Sequence, residues 1–214
     1  MHTVIFDVGG TLIDSPDFFG HIMEQYYKKD SKIERYLLHR FSEYYQGNGQ
    51  FFKIANILGK VFTEITKEFG VKDYSCLATD MYREFFTKKT YLFEDTISVL
   101  ESLKNKNTRL IICSHADSEV LNQELTNFKI MDYFEHIIVS SNIKAYKPSD
   151  EVVSILNGLI TGNCEEALFV GDSRQDIITG KKLGVKTAYI NRLSKKLDVK
   201  ADYDIKKLTD LCFL

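Results

Sequence analysis

The chain has 214 residues, 44% apolar and 27% charged, a composition that excludes disorder, collagen and coiled coil and suffices for one domain or two small ones. A formal net charge of −2 supplies no broad basic field for nucleic acid or an anionic membrane, so neither partner is expected and any anion must be gripped locally. Only two prolines, Pro16 and Pro148, and no tryptophan are present, which excludes a proline-rich linker or recognition segment.

Cys76, Cys113, Cys164 and Cys212 are scattered without a CxxC pair, which argues against a zinc module or a disulfide scaffold. The opening MHTVIFDVGG is strand-like, and Asp7 interrupts its apolar run. No run approaches the roughly 18 residues that span a bilayer, so a cytoplasmic protein is expected.

In chain order, Thr3 to Phe6 reads as a strand. From about Pro16 to Lys89 strand-like alternation is absent, and the stripes are helical: Ile33, Tyr36, Leu37, Phe41 and Tyr44, then Phe51, Ala55, Leu58, Phe62, Ile65 and Phe69, then more weakly Leu77, Met81 and Phe85. GNG at 47–49 and Gly70 separate them as turns, so the region reads as a helical bundle inserted after the first strand. Core packing is the ordinary account of its aromatic residues.

Further apolar runs follow at Arg109 to Cys113, Ile137 to Ser140, Ala167 to Val170 and Thr187 to Ile190. Segments with a 3.6-residue rhythm lie between them: Val120, Leu121, Leu125 and Phe128; Val152, Val153, Leu156, Leu159 and Ile160; Ile177, Ile178 and Leu183. Strand alternating with helix predicts an α/β fold, a parallel sheet with helices on both faces. No internal repeat or low-complexity tract is evident.

Four features sit at or just after these runs, where an open parallel sheet binds ligands. Asp7 follows VIF; alone, an Asp before two glycines is equally a turn. Ser114 follows RLIIC and can help hold an anion, or simply cap the next helix. Lys147 in KAYKPSD has a solvated loop as its plain account. GDSRQD places Asp172 at a strand end and Asp176 four residues on, able to point back if a helix begins there; an acidic helix start is the simpler reading. Jointly, on successive strand ends, they form a phosphoryl site. Asp7 with Asp172 makes a hard-oxygen site suited to Mg²⁺, and Ser114 and Lys147 can hold phosphoryl oxygens.

With these residues in view, the chain resembles the haloacid dehalogenase superfamily over essentially its whole length. Asp7-Val8-Gly9-Gly10-Thr11-Leu12-Ile13-Asp14 is similar to the first motif of that family, DxDGTLxD; Ser114 is similar to the second, Lys147 to the third and Gly171 to Asp176 to the fourth. The resemblance implies a Rossmann-like core over 1–15 and 90–214 and an inserted α-helical cap over 16–89 that closes over the site and excludes water. It implies that Asp7 is a nucleophile forming an aspartyl intermediate, that Ser114 hydrogen-bonds the transferring group, and that Lys147 neutralises charge and orients Asp7. Asp172 would bind Mg²⁺ with Asp7 and the Gly9 carbonyl, with Asp176 in the immediate surroundings, and Gly10, Thr11 and His115 would join the substrate contacts. The implied partner is a small phosphorylated metabolite, with the protein a monomer or homodimer.

Gly9 departs from the pattern. Phosphatases of the resembled family carry there a second aspartate, the general acid and base, a role worth typically 10²–10⁴-fold. Three readings follow: a Mg²⁺-dependent phosphatase, slow or using another proton source; a carbon–halogen or carbon–phosphorus hydrolase; or a phosphate-binding or regulatory protein with little turnover. His21, His39 and Lys53 are the insertion residues that could supply a proton. His115 is a smaller departure, with an exposed helix start as its plainer account.

Overall fold

The computed structural model describes residues 2–14, 16–46, 50–160, 162–192, 194 and 196–213. β1 (Thr3–Phe6) is buried along its length. Val4 and Phe6 join the apolar cluster on one face of the sheet and Ile5 the cluster on the other, as the two-residue period of a strand requires. β1 pairs in parallel with β4 (Arg109–Ser114) on one side and β6 (Ala167–Gly171) on the other. β5 (His136–Val139) flanks β4, and β7 (Lys186–Ile190) and β8 (Tyr203–Ile205) extend the sheet beyond β6, giving the order β5-β4-β1-β6-β7-β8.

Helices cover both faces, as the alternating pattern predicts. Leu100 and Leu103 of α5 (Thr96–Asn105) and Leu121 and Leu125 of α6 (Ser118–Asn127) pack with Val4 and Phe6. On the other side Val152 and Leu156 of α8 (Asp150–Leu159) and Leu183 of α9 (Arg174–Leu183) pack with Ile5 and Phe169. A short α7 (Ser140–Ile143) follows β5 and takes Ser140, which the sequence pattern places in the strand.

Between β1 and β4 the chain makes α1 (Phe18–Tyr26), α2 (Ser31–Gln46), α3 (Ile54–Phe69) and α4 (Ala78–Lys88). They build a separate apolar cluster that includes Ile22, Leu37, Leu58, Phe62 and Phe85, so core packing accounts for much of the aromatic content. Gly70 ends α3 as its C-cap, and the GNG turn at 47–49 lies outside the described residues. Phe51 precedes α3, and Leu77 sits exposed in a 3-10 turn before α4. α1 is not marked by any stripe singled out in the sequence; Asp17 starts it, accepting the Gly20 N–H at 2.9 Å. β2 (Ile13–Asp14) and β3 (Tyr91–Leu92) pair antiparallel where the chain leaves for and returns from these helices. Two-residue strands are too short to show a period, which is why the sequence does not reveal them.

The helical layer is fastened to the sheet layer by a cap supplied in trans. Lys53, the N-cap residue of α3, makes no side-chain capping bond to the helix. The buried Asp117 carboxylate, from the start of α6, instead accepts the Ile54 and Ala55 N–H groups, each at 3.0 Å. Lys53 pairs with Glu119 at 2.7 Å, and the Tyr146 hydroxyl donates to the Phe52 carbonyl at 2.7 Å. Replacing Asp117 by Ala orphans two helix-end donors, and a loss of about 1–2 kcal/mol is expected in denaturant unfolding. Asp117→Asn, which keeps one acceptor, should recover part of it.

Candidate active site

The sheet order places the site. Asp7 directly follows β1, and its N–H donates to the Val170 carbonyl at 2.9 Å; Ser114 ends β4, Asp172 follows β6, and Lys147 lies in the loop between α7 and α8. All four therefore meet on the rim formed by the carboxyl ends of the parallel strands, with the nucleophile candidate on the central one.

Lys147 organises this rim. Its Nζ, 2% exposed as a side chain, donates to Asp7 Oδ1 at 2.6 Å, Asp176 Oδ1 at 2.6 Å and the Cys113 carbonyl at 2.9 Å. An ammonium has three hydrogens, and all three are committed. Lys147 thus fixes Asp7 here rather than standing free for a phosphoryl oxygen. Burial opposes its charge, yet Asp176 and Asp7 hold it protonated, with a pKa well above the ordinary lysine value.

Asp176 is fully buried and spends its second oxygen on its own helix, accepting the Ser173 N–H at 3.0 Å and hydroxyl at 2.6 Å. This closes a capping box on α9. The acidic helix start and the bend back toward the rim are both present. Gly171 permits them, since a Cβ there would strike the Asp176 carboxylate.

Asp7, Asp172 and Asp176 bring carboxylate oxygens within 4.8 Å of one another. Burial pushes the Asp7 pKa up to about 6 despite Lys147, and burial with the nearby Asp7 and Asp176 charges pushes Asp172 up to about 8. One lysine does not balance three carboxylates. Since both Asp176 oxygens are engaged, Asp7 and Asp172 are the pair left to hold a cation, and an all-oxygen set suits a hard one such as Mg²⁺. Gly10, at φ 74°, keeps the Asp172 side clear, because a Cβ there would collide with that carboxylate.

Ser114 is buried and lines a cavity of about 250 Å³ between the rim and the helical layer, together with Gly9, His115 and Tyr45. The N-cap residue of α6 is Asp117, not Ser114. Gly10 and Thr11 are not among the residues lining it: the Gly10 N–H donates to the Ile13 carbonyl at 2.8 Å, the Thr11 N–H to the Val8 carbonyl at 3.2 Å, and Thr11 is fully buried. They shape the turn after Asp7.

His115 is not an exposed helix-start residue. Its Nε2 accepts the Lys147 backbone N–H at 2.5 Å and its Nδ1 meets the Tyr45 hydroxyl. Burial, reinforced by the Lys147 charge, holds its pKa well below the usual value. A neutral ring that accepts at Nε2 carries its hydrogen on Nδ1 and donates it to Tyr45, which leaves the tyrosine hydrogen for another acceptor. Tyr45 lies on α2 and packs on Tyr146, ring centroids 4.5 Å apart. The sequence stripe stops one residue short of it, at Tyr44. The other proton sources expected in the helical layer are elsewhere: Lys53 pairs with Glu119, His39 with Glu43 at 3.7 Å, and His21 packs on Phe85 beside Asp17 and Glu24. A wider mouth of about 690 Å³, lined by Phe51, Tyr146, Lys144 and Arg174, opens from Tyr45 and Lys147 to solvent.

The model of the family described as haloacid dehalogenase-like hydrolase matches residues 4–190. The chain belongs to this family. This hydrolase is 28% identical over 188 residues to a phosphoglycolate phosphatase of Aquifex aeolicus, covering 88% of this chain and 84% of that one. It is 23% identical to haloacetate dehalogenase H-2 of Moraxella, covering 92% and 89%. The crystal structure of the HAD-hydrolase YfnB of Bacillus subtilis, bound to magnesium, superposes with a TM-score of 0.79 at 21% identity and covers 99% of this chain and 97% of that one. At that identity the likeness establishes the fold.

Proposed function

We propose that this hydrolase is a Mg²⁺-dependent phosphatase of a small phosphorylated metabolite and that Asp7 is its nucleophile. One observation carries the reading: Lys147 fixes Asp7 at 2.6 Å while a second carboxylate, Asp172, stands beside it with its pKa raised to about 8. Such a cluster of carboxylates facing one lysine calls for a cation, and displacement of halide at carbon has no use for one. Asp7, Asp172 and the Gly9 carbonyl would hold Mg²⁺, which when bound neutralises the phosphoryl oxygens and the flanking carboxylates.

Lys147 holds the Asp7 carboxylate in place and ionised, so that one oxygen attacks phosphorus as the ester P–O bond breaks. Ser114 donates to a non-bridging oxygen, and the helical layer, acting as a cap, keeps bulk water out. The departing oxygen takes a proton from water, and a water then attacks the phosphorus of the aspartyl phosphate, returning its proton to solvent, releasing phosphate and restoring Asp7. Gly9 brings no carboxylate to either proton transfer, so turnover is slow.

Phosphate release from an aryl phosphate and a phosphometabolite panel, run beside halide release from 2-haloacids, tests this. Phosphate release that requires Mg²⁺ is expected. Metal-independent halide release would instead support the carbon–halogen reading, which Gly9 and the Moraxella relative keep in view. Binding of phosphate and Mg²⁺ with no turnover would point to a regulatory protein.

The raised carboxylates give the protein a pH signature. With folded pKa values of about 6 and 8 against 3.8, the folded state binds more protons than the unfolded chain between about pH 4 and 8. Stability is therefore lost as pH rises through that window. Lys147 stays protonated throughout and does not alter the sign. Thermal unfolding in chelator should show the midpoint falling from pH 5.5 to 8.5, with Mg²⁺ restoring it most at the alkaline end. A midpoint that rises with pH and ignores Mg²⁺ would contradict the cation site.

A further inference from the structure

Glu124 stands in α6 on the face that carries Val120, Leu121, Leu125 and Phe128, an acidic residue inside an apolar stripe. It is 5% exposed, and its Oε1 is buried without a hydrogen-bond partner among the described residues. No lysine or arginine pairs with it there. Thr90 is the hydrogen-bonding neighbour of the carboxyl, and its hydroxyl also lies 2.9 Å from the Phe86 carbonyl, so it leaves Oε1 unpaired. Burial pushes the carboxyl pKa up to about 7, against a smaller pull from Thr90.

Glu124 lines the 250 Å³ cavity that Gly9 and Ser114 also line. The lining is otherwise mostly apolar, among it Phe18, Phe19, Phe86 and Val120, with Tyr82 as a polar exception whose hydroxyl accepts the Asp117 N–H at 3.4 Å. Glu124 lies six residues into α6, roughly 9 Å along the axis from Ser118, and its Cβ leans back toward the helix start, in the direction of Ser114. Glu124 thus brings a buried carboxyl with one unpaired oxygen to the wall of the cavity that Ser114 and Gly9 also line. A buried acceptor left unpaired costs folding free energy, and a ligand donor is one way to satisfy it.

We propose that Glu124 is the specificity-determining residue for the organic part of the substrate, selecting a phosphomonoester whose short apolar body ends in a hydrogen-bond donor, a hydroxyl or an ammonium group. The inference rests on the phosphatase reading above and names its substrate class. A hydroxyl would donate to Glu124 in either protonation state, whereas an ammonium group would ionise it and form a buried ion pair.

The test compares propyl phosphate, 2-hydroxyethyl phosphate and 2-aminoethyl phosphate, matched in length, in wild type, Glu124→Gln and Glu124→Leu. Wild type should prefer a donor-terminated ester by at least about tenfold in kcat/KM, mainly through KM. Glu124→Leu should erase or invert that preference. Glu124→Gln should keep a hydroxyl preference but lose an ammonium preference, which separates the two donors. Unfolding midpoints supply an independent readout: a buried acid with one oxygen unpaired, replaced by Leu, should leave stability equal or higher, whereas a structural acid would be missed. An aryl phosphate turned over by wild type without any donor preference on the matched esters would overturn the role of Glu124 and leave the phosphatase reading standing. With no phosphate released from any ester, the phosphatase reading fails, and calorimetric binding of the three esters to Asp7→Asn decides the recognition role. Equal affinities there would overturn it too.

Discussion

Asp7→Asn should abolish hydrolysis, lowering kcat by at least about 10⁴-fold, on the scale seen when a covalent nucleophile is removed. The amide matches the carboxylate in shape and can still accept the Lys147 hydrogen at Oδ1, where the wild-type bond is 2.6 Å. It cannot attack phosphorus. Loss of folding is not expected to confuse the result, because burial already disfavours charge at this position and holds the Asp7 pKa at about 6. In chelator near pH 8 the variant should unfold at a midpoint equal to or above wild type, since one member of the repelling cluster has been neutralised. Activity lost together with stability would mean that Asp7 is structural, and retained activity would remove it as nucleophile. The measurement is kcat on an aryl phosphate beside a thermal unfolding curve for each protein.

Gly9→Asp should act in the opposite direction, raising turnover by about 10²–10⁴-fold. The backbone permits it: Gly10 lies at positive φ, whereas Gly9 does not, so a side chain at residue 9 meets no left-handed strain. Gly9 is exposed to the cavity that Ser114 and Tyr45 also line, and a carboxyl there can protonate the departing oxygen and later activate water. The gain should depend on the leaving group. Aryl phosphates, whose leaving oxygen needs little protonation, should improve least in the first step and alkyl phosphates most, so a plot of log kcat/KM against leaving-group pKa should be steep for wild type and flatter for the variant. Parallel lines, or no gain on any ester, would show that proton transfer does not limit the wild-type protein.

The rim was legible in the sequence because Asp7, Ser114 and Asp172 sit at strand ends, and strand ends of one parallel sheet share an edge. Val4, Ile5 and Phe6 before Asp7, and Leu168, Phe169 and Val170 before Gly171 and Asp172, are short buried runs whose direction and pairing follow from the helices between them. Local chemistry alone could not say how Lys147 would be used. Its three bonds to Asp7, Asp176 and Cys113 join residues up to 140 positions apart. The trans cap from Asp117 to α3 is hidden for the same reason, since donor and acceptor lie 63 and 62 positions apart.

Tyr45 and His115 went unread as a pair because their meeting depends on how the helical layer seats on the sheet. A tyrosine on an amphipathic helix is ordinarily core, and a histidine after a strand is ordinarily exposed. Glu124 did leave a signal, an acid at position 124 within the stripe formed by Val120, Leu121, Leu125 and Phe128, where the helical period demands an apolar side chain. β8 and the β2–β3 pair left none, because Tyr203–Ile205 and two-residue strands are shorter than any period they could display.

The most direct measurement is acid quench of wild-type protein during turnover of a phosphomonoester with Mg²⁺, followed by mass analysis of the peptide that contains Asp7. The covalent account predicts one phosphoryl group on Asp7, at higher occupancy in wild type than in Gly9→Asp, because the missing acid and base slows the water step most. Phosphate released with Asp7 unmodified at every quench time, or a phosphoryl group on a different residue, would contradict it.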